Sequence, residues 1–158
     1  MRTWTSLTLF AALAALASCT AKGPATPEPA TPTPPPSATP AQQREDLTRT
    51  DSQGSVIVEI TPIDLAAENE LRFLVQMDTH SVDLSMDLSA LAELETDLGA
   101  HLQAVSWDAP AGGHHVSGTL AFPAQLNGQS ILAGARQLVL VLRGIDSTER
   151  RFVWELNY

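Results

Sequence analysis

The chain has 158 residues and a formal net charge of -9, because 18 acidic side chains oppose 9 lysines and arginines. Such an acidic chain repels the phosphate backbone of nucleic acids, which argues against a nucleic-acid partner. Its single cysteine excludes an intramolecular disulfide. The sequence holds no nucleotide-binding glycine loop, no nucleophile elbow and no metalloprotease motif, so nothing in it indicates an enzyme.

The N-terminal residues have the organisation of a bacterial export signal. Arg2 supplies a positive charge, and residues 7–17 form an apolar run. This run is shorter than the ~20 residues that a membrane-spanning helix needs. It ends in Leu16-Ala17-Ser18-Cys19, which resembles the lipobox of bacterial lipoproteins at all four positions. The resemblance implies that diacylglycerol is attached to the Cys19 sulfur, that residues 1–18 are removed, and that the new N-terminus is acylated.

The same resemblance implies a location in the bacterial cell envelope. Acyl chains would anchor the protein to the outer face of the cytoplasmic membrane or to the outer membrane, with the remaining chain extracytoplasmic. Thr20 follows Cys19, so the aspartate that retains some enteric lipoproteins at the inner membrane is absent. This favours the outer membrane where the cell has one. The alternative is an ordinary signal peptide with an incidental cysteine.

Residues 19–50 have the composition of a disordered linker. The stretch contains eight of the chain's 11 prolines, mixed with alanine, threonine and serine. It has almost no large apolar side chains, so it cannot bury a core. Dense proline favours an extended polyproline II conformation of about 3.1 Å per residue. We therefore expect a semi-rigid stalk that separates the membrane anchor from a folded head.

The head, residues 51–158, is predicted to be all-β. β-branched and alternating apolar segments recur at short intervals, separated by turns rich in Gly, Asn and Asp. Asp97-Leu98-Gly99 is typical of a hairpin turn. The predicted strands cover residues 55–61, 71–77, 82–88, 92–96, 100–107, 116–122, 137–143 and 151–156. Strands of this number and length favour an antiparallel, immunoglobulin-like β-sandwich, with an eight-stranded β-barrel as the alternative.

Four segments of the head are similar to a class of small, uncharacterised bacterial exported domains. They are Asp78-Thr79-His80-Ser81, Gly113-His114-His115, Trp107 and Phe152-Val153-Trp154, within a region of similarity from about residue 56 to residue 156. The resemblance implies an immunoglobulin-like accessory domain and supplies no activity.

The apolar run of residues 138–142 predicts a central strand. One phase of the run would face the core, while Val139 and Val141 in the other phase are candidates for a docking face. Trp107 and Trp154 are interpreted as core or core-edge anchors.

Three histidines are the candidate metal ligands. His80 lies where one predicted strand ends, and His114 and His115 lie where another begins, after two glycines. Imidazole binds copper and zinc, and loops at one end of a sandwich can converge. The soft sulfur of Met77 would suit Cu(I), although Met77 lies in the apolar phase of its strand. Ordinary loop hydrogen bonding is the alternative for these histidines.

The sequence therefore predicts a membrane-anchored, non-enzymatic β-sandwich in the cell envelope that binds a protein partner. The alternative function is an extracytoplasmic copper- or zinc-binding protein that uses His80, His114 and His115.

Overall fold

A computed structural model describes residues 46–156. Residues 46–47 are helical, and the rest of the described chain forms strands, loops and one short 3₁₀ turn, Leu88–Ala90. Asp87 caps this turn by accepting a hydrogen bond from the Ser89 amide. No helix among residues 46–156 is long and apolar enough to span a membrane. The strands are β1 (Arg49–Asp51), β2 (Val56–Asp64), β3 (Glu70–Thr79), β4 (Ala92–Thr96), β5 (His101–Gln103), β6 (Ser106–Trp107), β7 (His115–Pro123), β8 (Gln125–Leu126), β9 (Gln129–Ser130), β10 (Gln137–Ile145) and β11 (Thr148–Glu155).

The strands form two main antiparallel sheets and one small hairpin. The first sheet has the order β1-β2-β3-β7-β6, the second has the order β11-β10-β4-β5, and β8 pairs only with β9. Apart from β1, these orders match the ABED and GFCC′ sheets of an immunoglobulin domain. The two sheets do not close into a barrel. The predicted immunoglobulin-like sandwich is therefore confirmed, and the barrel alternative is wrong.

The core lies between the inner faces of the two sheets. In β3, inward residues alternate with outward ones, so that Leu71, Phe73, Val75 and Met77 are buried. The Phe73 ring packs edge-on against Phe122 at 5.7 Å between centroids and lies 5.5 Å from Trp154 on the opposite sheet. The Phe73–Trp154 contact joins the two sheets. Trp154 and Met77 are buried in the core, as predicted.

The predicted strand over residues 82–88 is wrong, although its apolar phase is partly right. Leu84 and Leu88 are buried, but the segment carries the chain from the first sheet to the second and forms no ladder. The backbone groups of Leu84 instead form hydrogen bonds with the loop before β7. The Leu84 amide donates to the Gly113 carbonyl at 3.1 Å, and the Leu84 carbonyl accepts from the Gly112 amide at 3.2 Å. Alternation indicates which side chains face the core, but it does not supply a neighbouring strand.

The folded head begins earlier than residue 51. Arg49 and Thr50 belong to β1 and pair with Ile60 and Glu59 of β2. The predicted boundary therefore falls inside β1, because a short polar strand at a sheet edge has no hydrophobic pattern to reveal it. The strand β2 also continues beyond the predicted end at residue 61, through Pro62 to Asp64. Beyond Ile60 the strand β2 is no longer covered by β1, and such an edge position tolerates a residue without an amide hydrogen.

The sandwich has two distinct ends. The chain enters β1 at the end of the sandwich where β2 leads to β3 and where β7 leads to the β8–β9 hairpin, here called the linker end. The far end holds the β1–β2 turn, the histidine-bearing loops at residues 80–87 and 108–114, and the β10–β11 turn. Ser55 at the far end donates its amide to Asp146 of the β10–β11 turn at 2.7 Å, which ties the two sheets there.

Candidate functional site

All three predicted metal ligands lie at the far end and are exposed to solvent. The Thr79 amide donates to the His114 carbonyl at 2.9 Å, so the loop that bears His80 lies beside the loop that bears His114. His115 stands opposite Asp78 in the β3–β7 ladder, and its Nδ1 is hydrogen-bonded to the Asp78 carboxylate. The three histidines therefore lie at the same end of the sandwich.

Their imidazoles do not form a three-ligand cluster in this structure. Among residues 46–156, the only three histidine, cysteine or acidic side chains with ligand atoms all within 4.8 Å of one another are Glu93, Glu95 and His101. The reason lies in the local backbone: His115 is in a strand and points outward from the first sheet, whereas His114 precedes that strand in a bend. His114 and His115 therefore lie in different local backbone conformations although they are neighbours in the sequence.

A dense set of ion pairs covers the outer face of the second sheet. We call it the ionic patch, and it comprises Glu93, Glu95, His101, Arg143, Glu149 and Arg151. The guanidinium of Arg143 lies 2.7 Å from Glu93 and 3.1 Å from Glu149, and Arg151 lies 2.7 Å from Glu95. Hydrogen bonding from Arg143 lowers the pKa of Glu93 despite an opposing effect of burial, and the same bond raises the pKa of Arg143.

These ion pairs compete with any cation for the carboxylates of Glu93 and Glu95. The two arginines already neutralise the carboxylates that a cation would need, and His101 lies 3.3 Å from Glu93 as a third member of the network. His101 is exposed on β5, as the predicted hairpin arm requires. Its pairing with two glutamates on β4 follows from cross-strand register, which the sequence does not show.

The predicted docking face, Val139 and Val141, is buried beneath the ionic patch. Val139 and Val141 are 6% and 0% exposed, so both phases of the central strand β10 are buried within the monomer. In the ladder, Val141 stands between Glu93 of β4 and Arg151 of β11. The aliphatic portions of long charged side chains can shield apolar surface in this way. The hypothesis that Val139 and Val141 form a docking face is therefore wrong, whereas the predicted central position of the strand is confirmed.

An open cleft of about 570 Å³ lies at the linker end. The β2–β3 loop forms one wall, and β8 together with residues 130–134 forms the other. Among residues 46–156, its lining side chains are mostly small or apolar, with Gln125 polar and Glu68 charged: Leu65, Ala66, Ala67, Glu68, Gln125, Ser130, Leu132, Ala133 and Gly134. The Glu68 carbonyl accepts from the Gln125 side chain at 3.0 Å, which holds the two walls together.

A second cleft of about 240 Å³ shares Ser130 and Ala133 with the first. Its rim contains Leu98 of the β4–β5 turn and Leu126 of β8, which are 63% and 43% exposed. Both leucines are held on tight turns, because Gly99 adopts a φ of 83° and Asn127 and Gly128 adopt φ values of 54° and 78°. The sequence marks the turns but not the cleft, because the two turns meet only in the folded sandwich.

The acidic residues of the 80–87 segment have structural partners. Asp83 accepts from the Gly113 amide at 3.2 Å, and Asp87 accepts from Ser89, which lowers its pKa. Met86 is half-buried against the core, and Trp107 packs at the core edge as predicted.

Comparison with known proteins adds no further assignment: no family model matches the chain, and searches of the curated proteins and of the solved structures find no match.

Proposed function

We propose that the chain is a cell-envelope lipoprotein whose lipid-anchored N-terminus presents a non-catalytic β-sandwich that binds a partner. The observation behind this proposal is the sequence Leu16-Ala17-Ser18-Cys19 directly after a short apolar run. Diacylglycerol on Cys19 and an acyl group on the new N-terminus would provide two or three chains, which give stable membrane residence where one chain is marginal.

The negative charge of the head supports a position of this domain away from the lipid surface. Residues 51–158 contain five arginines and 15 acidic residues, which gives a formal charge of -10. Anionic lipid headgroups would repel such a domain, so the anchor and not the head is expected to hold the protein at the membrane.

The adjoining clefts at the linker end are the proposed binding surface. A volume of about 570 Å³ lies within the range of ordinary ligand sites. The clefts are rimmed by exposed Leu98 and Leu126 and lined mainly by small residues, which suits a short extended segment of an envelope protein. Among residues 46–156, the lining side chains offer the contacts expected of a binding surface: apolar leucines, small residues and a few polar groups.

A copper or zinc function remains the alternative, with one observation in its favour. The Asp78 carboxylate binds Nδ1 of His115, and this arrangement leaves Nε2 available to an ion, as in many metal-bound histidines. One oriented imidazole on a strand face is less than the three or four ligands that zinc requires. The binding module is therefore the preferred function.

The anchor is tested by metabolic labelling with a clickable fatty acid, followed by separation of membrane and soluble fractions. Wild-type chain should label and sediment with membranes, whereas Cys19→Ser should lose the label. Ser18→Ala serves as the matched control, because alanine is also a small residue and should preserve processing. Equal labelling of wild type and Cys19→Ser would refute the anchor.

The binding surface is tested separately by photocrosslinking in cells. A photoreactive amino acid at Leu98 or Leu126 should give a discrete crosslinked species, and the same group at exposed Ser147 in the far-end turn should not. Introduction of a negative charge at the apolar rim by Leu98→Glu should abolish the species formed from Leu126. Crosslinking from Ser147 alone would place the partner at the far end and contradict the proposed surface.

A further inference from the structure

The segment that connects the linker to the head is bound to both sheets at once. We call residues 47–55 the entry segment. Its strand β1 pairs with β2 of the first sheet. The same segment contacts β11 of the second sheet, where Arg49 Nε donates to the Val153 carbonyl at 2.9 Å and Trp154 Nε1 donates to the Leu47 carbonyl at 2.6 Å. The Arg49 guanidinium also lies 6.0 Å from the centre of the Trp154 ring.

A buried arginine fixes the middle of the entry segment. Arg150 of β11 is 0% exposed, and its guanidinium forms an ion pair with the Asp51 carboxylate. It also donates to the backbone carbonyls of Asp51 and Gln53. All of these acceptors belong to the entry segment, and Nε has no hydrogen-bond partner among residues 46–156. Removal of the segment would leave a buried cation without its counter-ion.

The C-terminal part of the entry segment is fitted closely against the far end. Gly54 adopts a φ of 68°, and a Cβ at this position would meet Asp146 Oδ2 at 2.5 Å. The adjacent Ser55 amide donates to the same Asp146 oxygen at 2.7 Å. Contacts to β11 and to the β10–β11 turn therefore extend along the whole segment, from Leu47 to Ser55.

We propose that the entry segment is a force-bearing clasp, which transmits tension on the linker into both sheets of the sandwich. The inference rests on the proposed lipid anchor for the direction of the pull, because a chain tethered through Cys19 would receive force at Leu47. A pull on Leu47 directed out of the linker end, along the strand axis, would then draw β1 lengthwise along β2. Such a pull loads the β1–β2 hydrogen bonds and the Asp51–Arg150 pair together instead of breaking them one at a time.

Single-molecule force measurement on the unlipidated chain from Cys19 to Tyr158 tests the clasp. The native Cys19 thiol provides one attachment point, and Ala111→Cys in an exposed far-end loop provides the other. Early release of the entry segment would free nine residues, which adds at most about 30 Å of length, less the distance that the folded segment already spans. Wild-type chain should show no step of this size before the whole head unfolds.

Two clasp variants and one control decide the outcome. Asp51→Asn removes the counter-ion of Arg150, and Arg49→Gln weakens the contact with Val153 and Trp154. Each variant should show a separate step of up to ~30 Å, at a lower force than the unfolding of the whole head. Arg143→Gln disrupts the exposed ionic patch without touching the entry segment and should leave the force trace unchanged. A separate low-force step in wild type, or traces of both clasp variants that match wild type, would overturn the proposal. Because the measured chain has no lipid, this result is independent of the fatty-acid labelling that tests the anchor.

Discussion

The Asp51–Arg150 ion pair gives the sharpest prediction about stability. Arg150 is fully buried and the Asp51 side chain is 15% exposed, so Asp51→Ala leaves a guanidinium in the sandwich with only backbone acceptors. Loss of one partner of a buried pair typically costs about 3–5 kcal/mol of unfolding free energy. We expect the lower part of that range, because the Asp51 and Gln53 carbonyls still accept hydrogen bonds from Arg150.

The double variant Asp51→Ala with Arg150→Met distinguishes the contribution of the ion pair to the unfolding free energy from the contribution of side-chain packing. Methionine keeps an apolar chain in place of the arginine stem and removes the guanidinium. Because no uncompensated charge remains, the double variant should be more stable than Asp51→Ala alone. The expected coupling free energy is about 1–3 kcal/mol. Urea unfolding followed by tryptophan fluorescence measures it, since Trp154 is 1% exposed and contacts the entry segment. Additive losses in the two single variants would refute the reasoning.

The same pair predicts a dependence on pH. Burial acts to raise the pKa of Asp51, but hydrogen bonds from Gln53 and the charge of Arg150 lower it by more, so its pKa is below the ordinary value of 3.8. A lowered carboxyl pKa contributes stability that is fully present above the unfolded-state pKa and is lost as pH falls through the folded-state pKa. The stability difference between wild type and Asp51→Asn should therefore be constant from pH 8 to 5 and shrink below pH ~4. A difference that persists in strong acid would contradict this account.

Three further outcomes are expected. Leu140→Ala in the central strand should cost about 2–5 kcal/mol in urea unfolding, because Leu140 is 0% exposed; a loss below about 1 kcal/mol would show that the core refills the space. Gly54→Ala should lower the melting temperature in scanning calorimetry, since alanine would be strained at a φ of 68° and would crowd Asp146, and an unchanged temperature would argue against that contact. Calorimetric titration with Zn²⁺ and Cu²⁺ should show no micromolar binding that depends on His80 and His114, whereas binding lost in both alanine variants would show that the histidine loops rearrange into a site.

Much of the sandwich could be predicted because its core strands have strong sequence patterns. The alternation of β3 places Phe73 and Met77 inside, and the Asp97-Leu98-Gly99 turn joins β4 to β5 as expected. The position of β10 at the centre of its sheet follows from a continuous apolar run. These features are local or depend on burial alone, which composition and periodicity report directly.

The features that escaped prediction depend on register and on contacts between distant segments. Burial of Val141 requires Glu93 and Arg151 to flank it, and that pairing is fixed only when β4, β10 and β11 align. Likewise, β1 is a strand because it pairs with β2, and its polar sequence gives no sign of this pairing or of its contacts with β11. Histidine spacing indicated a shared end of the sandwich but could not specify the direction of each side chain.

Intact-mass spectrometry of the protein purified from membranes tests the central claim most directly. If the chain is a lipoprotein, its mass will equal that of residues 19–158 plus a diacylglycerol group on Cys19, with or without one further acyl chain on the N-terminus. Fragmentation will place the added mass on the first residue. A chain with an unmodified Cys19 thiol, or one whose N-terminus lies at any other residue, would contradict the account.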